Sequence, residues 1–189
     1  MTDIASARPA PRFATRTVTT AALLAALLAA SSLFALRIGP VPLTLQVLVV
    51  VVAALLLTPA QAGLAVGVYL LEGAIGLPVF AGMLGGVGVL VGPTGGYLWG
   101  FLAGAVLGAL VRERLVAAHN PEPMADAIAA SVVILCVYVL GAAQLSAVAH
   151  LGLLDTLAAG VLPFVGPDLV KAVAAVALAG VVRRALPRA

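Results

Sequence analysis

Apolar positions run through this chain in long blocks, and the few polar residues between them mark out the elements. Six blocks stand apart: Thr17 to Leu36, Val41 to Leu57, Ala62 to Leu77, Gly95 to Val111, Ala125 to Ala149 and Gly166 to Val182. Each approaches the roughly 20 apolar residues with which an α-helix crosses a bilayer. The pattern predicts an all-α integral membrane protein, a bundle of six transmembrane helices. Composition agrees, since 63% of the 189 residues are apolar and 9% are charged, against about 45–50% and about 25% in soluble domains. Residues 1–16 lack periodicity and are expected to be a disordered cytoplasmic tail. Residues 17–184 form the membrane domain, and residues 185–189 a second short cytoplasmic tail. The block from Pro78 to Thr94 is apolar but rich in glycine. Irregular backbone survives at membrane depth only under cover of protein or a watery cavity, so a structured extracellular loop folded over the bundle is expected there.

The basic residues orient the helices. With the N-terminus inside, Arg8, Arg12, Arg16, Arg112, Arg114, Arg183, Arg184 and Arg188 are all cytoplasmic, eight of the ten lysines and arginines. The opposite orientation strands them outside, against the positive-inside rule. Both termini are therefore expected in the cytoplasm. A cleaved signal peptide over residues 12–35 is the competing reading of the start, but its apolar stretch is longer than a usual signal core. The net charge of +3 is accounted for by these loops and does not indicate nucleic acid. Cys136 is the only cysteine, which excludes a disulfide within the chain. No Cys/His cluster suggests a metal, and no cofactor is expected.

Candidate chemistry is sparse. "GGVGVLVG" follows no strand and has no ribose-binding acid after it, and "GPTGG" lacks the Lys-Ser/Thr of a phosphate loop. The loop glycines, Gly82 and Gly86 among them, are instead suited to close backbone approach to a ligand; a purely structural lid is the alternative. Tyr97, Trp99 and Phe101 open the fourth helix, where aromatics also mark the membrane interface; Tyr97, nearest the loop, is the pocket candidate. Glu72 lies inside the third helix, and an ionisable residue in a span suggests a functional site, either touching ligand or pairing with Lys171 or Arg37. His119 and His150 read as solvated loop residues, and no hydrolase triad assembles. "AALLAALLAA" spaces Ala21, Ala25 and Ala29, and likewise Ala22, Ala26 and Ala30, four apart. Such small-residue rows let helices approach closely, either within the bundle or against a partner. In "GPDLVK", Asp168 and Lys171 are helix neighbours at i and i+3, on the outer side by the topology. Asp168 as a helix cap beside a snorkelling Lys171 is the bland alternative. Lys171 is the only lysine, and beneath an outer glycine loop the pair points to a ligand pocket.

"GPVPLTLQVL" (39–48), "YLLEGAIGLPVFAG" (69–82), "GPTGGYLWGF" (92–101) and "LPFVGPDLVKAV" (162–173) together resemble the BioY family, biotin-specific substrate-binding subunits of energy-coupling factor transporters. The resemblance covers about residues 18–182 in order and spacing. It implies a six-helix bundle that binds biotin near the outer surface of a prokaryote's plasma membrane and itself catalyses no reaction. It implies partners too: a coupling transmembrane protein, docked by the small-residue face of the first helix, and two ATPase subunits. Asp168 and Lys171 match the family's ligand contacts; Thr44, Gln46, Thr94 and Tyr97 lie in family-like motifs. Glu72 departs from the pattern, at a place usually apolar or small. Left open are a binding subunit for another vitamin, a membrane scaffold or enzyme whose outer charges are structural, a homo-oligomer, and which end of biotin meets Lys171.

Overall fold

The computed structural model describes residues 15–185, without the side chains of Thr15, Arg16, Arg37 and Ile38. The expected tails, residues 1–16 and 185–189, lie almost wholly outside the described residues. The elements in chain order are α1 (Thr15–Ser32), β1 (Leu36–Ile38), β2 (Val41–Leu43), α2 (Gln46–Leu56), α3 (Pro59–Ala74), α4 (Val87–Val91), α5 (Gly95–Ala117), α6 (Glu122–Ala149), α7 (Leu153–Gly160) and α8 (Leu162–Ala185). Each of the six apolar blocks carries one of the longer helices. Among the described residues α6 and α8 are long and apolar enough by themselves to cross a membrane.

The second block departs most from expectation. Its first residues pair instead with the end of the first block, as an antiparallel hairpin in which Leu36 faces Leu43 and Ile38 faces Val41. Gly39, at φ +81°, turns the chain between the strands, a conformation only glycine takes without strain. The helix that remains, α2, has 11 residues, nine of them buried. Apolar on every side, it is a core helix, packed against α1, α3, α5, α6 and α8. Thr58 then starts α3 at once: it accepts from the Gln61 backbone N–H, Gln61 reaches back to its own N–H, and Pro59 opens the first turn. This reciprocal cap satisfies two N–H groups that a helix start leaves unpaired.

The tightest packing joins α5 to α6. Gly96, Gly100, Gly104 and Gly108 form one face of α5. A Cβ on Gly96 would lie 2.2 Å from the Leu140 carbonyl oxygen, and one on Gly100 2.6 Å from the Val137 Cα. Gly104 meets Val133, and Gly108 meets Val133 and Ala129. The contacts climb α5 while descending α6, so the helices run antiparallel with backbones in van der Waals contact. In a bilayer, where burial of apolar surface gives no drive, such contact is a main source of helix association.

At the far end of these helices sits a charge cluster that the sequence pattern did not suggest. Arg112 Nε donates to Asp126 Oδ1 at 2.7 Å, and Arg183 donates to Asp126 Oδ2. Arg183 Nε lies 3.3 Å from Glu122, and its Nη1 donates to the Leu55 carbonyl at the end of α2. Two of the arginines assigned to cytoplasmic loops thus tie α2, α5, α6 and α8 together through a carboxylate that is 1% exposed. Asp126→Asn leaves two guanidinium groups short of a counter-charge. The expected loss of stability is about 3–5 kcal/mol, read as a lower melting temperature in detergent.

The Pro78–Thr94 segment is ordered by named contacts. Phe80 and Leu84 bridge across a turn in which Gly82 (φ +75°) and Met83 (φ +59°) are left-handed. Gly86, at φ +94°, donates its N–H to the Gly73 carbonyl. The Gln144 side chain donates to the Leu90 and Gly92 carbonyls, and the Trp99 indole to Leu90 as well. Inward from the turn, the Phe80 ring meets Tyr69 edge-on at 5.5 Å and occupies the space a Gly73 Cβ would fill.

Candidate binding site

Under this segment lies a cavity of about 310 Å³, a size suited to a small organic molecule. The hairpin contributes Gly39 to Leu43, the loop Phe80, Ala81, Leu84 and Val89, and the helices Phe101, Val137 and Phe164. Of the residues expected to bind ligand, six meet here: Thr44, Gln46, Thr94, Tyr97, Asp168 and Lys171.

Asp168 and Lys171 stand on one face of α8, and the ammonium donates to Asp168 Oδ1 at 2.8 Å. They are 3% and 8% exposed. A charge is buried at this depth only when paired and hydrogen-bonded, and here the pair is electrically neutral as a unit. The capping role for Asp168 does not hold. α8 begins at Leu162, not Gly166, with Pro163 in its first turn and Pro167 inside it, so Asp168 stands in the second turn, too far in to cap. Nor does Lys171 snorkel outward, since its ammonium is on Asp168.

The other polar side chains are largely engaged with one another. Thr44 Oγ1 donates to Gln46 Oε1 at 3.1 Å, and Gln46 Nε2 donates to the Tyr69 hydroxyl. Tyr97 donates its hydroxyl proton to the Gly160 carbonyl at 2.8 Å. Its ring is seated against Gly141 and presents the cavity with an aromatic wall. Thr94 precedes α5 without capping it by its side chain. Trp99 points away, half-exposed, held to the loop.

Three candidates fall elsewhere. Gly82 and Gly86 do not line the cavity; their positive φ serves the turn and the approach to Gly73. Glu72, half-buried in the last turn of α3, is also outside the lining, and it makes no ion pair with Lys171, which Asp168 holds. The Arg37 side chain lies outside the described residues. The two alanine rows of α1 part company as well. Ala21 and Ala25 are buried inside the bundle and Ala29 is half-buried, whereas Ala22, Ala26 and Ala30 are exposed. A docking face on α1 therefore excludes Ala21 and Ala25.

Sequence reasoning missed Tyr138. From α6 it donates its hydroxyl to Asp168 Oδ2 at 2.8 Å and lines the cavity. The signal was present: a phenol in the middle of "VVILCVYVL" needs a partner for its hydroxyl.

The chain that builds this cavity matches a known group along nearly its whole length, for the BioY family model matches residues 5–188. The chain belongs to the BioY family. Its similarity extends to the biotin transporter BioY of Thermotoga maritima, 41% identical over 84% of this chain and 90% of that protein. The Rhizobium etli biotin transporter BioY is 35% identical over 87% and 91%. A crystal structure of the S-component for biotin from an ECF-type ABC transporter superposes with a TM-score of 0.83 at 29% identity, covering 89% of this chain and 91% of that one. The BioY family thus accounts for the all-helical fold and for its place in a membrane.

Proposed function

We propose that this chain binds biotin and carries it across the membrane as the substrate-specific subunit of an energy-coupling factor transporter. The observation that supports this most directly is the buried Asp168–Lys171 pair opening onto a cavity of about 310 Å³ with mixed polar and apolar walls in a member of the BioY family. Biotin has a compact polar head, the ureido group, with two N–H donors and one carbonyl acceptor. An ionised Asp168 accepts from one N–H, and the Lys171 ammonium keeps donors for the carbonyl oxygen beside it on the same edge of the ring. With acid and base 2.8 Å apart, both address one head group. A ligand carboxylate in that place would face Asp168 as a like charge. The ureido ring therefore meets the pair, and the aliphatic chain runs along Phe80, Phe101, Phe164 and the Tyr97 ring.

The remaining assignments belong to the same reading. The six longer helices form the bundle within the plasma membrane, α2 reaching only part-way across it, with both termini in the cytoplasm and the cavity on the outer side. A coupling membrane protein docks on the exposed Ala22, Ala26 and Ala30 face of α1, and two ATPase subunits supply the energy. The subunit itself catalyses no bond chemistry. Titration of biotin against the purified chain in detergent, without partners, tests the core of this. Tight, saturable binding at one site per chain is expected; no saturable binding overturns it. Ala26→Trp is expected to abolish co-purification with the coupling protein while leaving biotin affinity within about twofold. Loss of both would point to misfolding.

A further inference from the structure

We infer that Tyr138 is a positioning residue, whose phenol fixes the Asp168 carboxylate so that its remaining lone pairs face the ligand. The inference rests on the biotin reading of the cavity. A carboxylate offers about four lone-pair sites on two oxygens. Lys171 takes one on Oδ1 and Tyr138 one on Oδ2, leaving a free site on the carboxylate for the one ureido N–H that lies beside the carbonyl on the same edge of the ring. The terminal torsion of aspartate is broad and roughly two-fold. Lys171 cannot fix it alone, because it reaches from the same helix on a flexible four-carbon stem. Tyr138 comes from the opposite helix on a rigid ring, so its bond crosses from α6 to α8 and sets the carboxylate plane. No other side chain among the described residues donates to Asp168.

The phenol is not the main tie between those helices. At their other end the Asp126–Arg183 pair joins α6 to α8, and the Tyr138 ring remains to pack when its oxygen is removed. Tyr138→Phe therefore separates orientation from stability.

Biotin is titrated against four proteins: the unaltered chain, Y138F, D168N and Y138F/D168N, with melting of each ligand-free form. Y138F is expected to weaken binding about 10-fold, with the ligand-free protein still folded and its melting temperature lowered by no more than the few degrees that one lost hydrogen bond to a buried carboxylate costs. In the D168N background the same change is expected to cost less than about twofold, because no carboxylate is left to orient. A Y138F protein with unaltered affinity overturns the inference while leaving the biotin reading standing. So does an equal loss in both backgrounds, or a loss that accompanies unfolding of the ligand-free protein. If the unaltered chain fails to bind biotin, or D168N binds as tightly as it does, the pocket assignment fails first and the role of Tyr138 with it.

Discussion

Lys171→Ala is expected to weaken biotin binding by roughly 10- to 150-fold, equivalent to about 1.5–3 kcal/mol for a lost bond to a charged group. Asp168→Asn is expected to do the same. Each single change also leaves its partner as an uncompensated buried charge, and breaking such a pair costs about 3–5 kcal/mol of stability. Reduced affinity alone would therefore not separate a ligand contact from damage to the fold. The double variant Asp168→Leu with Lys171→Met does separate them. Replacing both members of a buried pair with apolar groups of similar volume is commonly neutral or stabilising. The doublet is thus expected to melt at or above the temperature of the unaltered protein and yet bind no biotin. Calorimetric titration and thermal melts in one detergent give both readings. A stable doublet that still binds biotin would make the pair structural.

The second large effect is expected at Gly100. A methyl group there meets the Val137 Cα at 2.6 Å and the Cys136 carbonyl oxygen at 3.0 Å. These are backbone atoms of α6 and cannot rotate aside. Alanine gains about 1 kcal/mol over glycine from helix propensity, whereas forced overpacking costs typically about 1–3 kcal/mol. Because the obstruction is main chain, repulsion wins: Gly100→Ala is expected to lower the melting temperature, and Gly100→Leu to leave no monodisperse protein. Gly67 on α3 is the control, since nothing lies within 4 Å of a Cβ there. Gly67→Ala is expected to be neutral or slightly stabilising. Equal effects at the two positions would show that glycine content matters and the α5–α6 contact does not.

Much of this fold is legible in the chain because hydrocarbon solvent demands long apolar runs, and the breaks between them delimit the helices. The two charges in "GPDLVK" were conspicuous for the same reason. What stayed hidden depends on neighbours far apart in sequence. Ala21 and Ala22 head equivalent rows by spacing, and only packing against α2 and α3 decides which row faces inward. The Tyr138–Asp168 bond joins residues 30 apart, on different helices. The hairpin was concealed by hydrophobicity itself. "VPLTLQVLVVVV" reads as one uninterrupted run, and valine is at home in a strand or a buried helix, so the run itself does not show where strand gives way to helix. The glycines of α5 carry no signal of their own in the sequence, and only the approach of α6 shows that Gly96, Gly100, Gly104 and Gly108 seat one helix on the other.

The shortness of α2 has a consequence for selectivity. Eleven residues rise about 16 Å, roughly half the hydrocarbon thickness of a bilayer, and the chain before Gln46 forms the hairpin instead of a further turn of helix. Gly39 to Leu43 of the hairpin line the cavity together with Gln46 and Val47 at the start of α2, and the charged pair lines it from α8. Headroom and head-group recognition are therefore written in separate parts of the chain. Lengthening or trimming the hairpin would change how long a tail the chamber accepts, while α6 and α8 would continue to read the same ring.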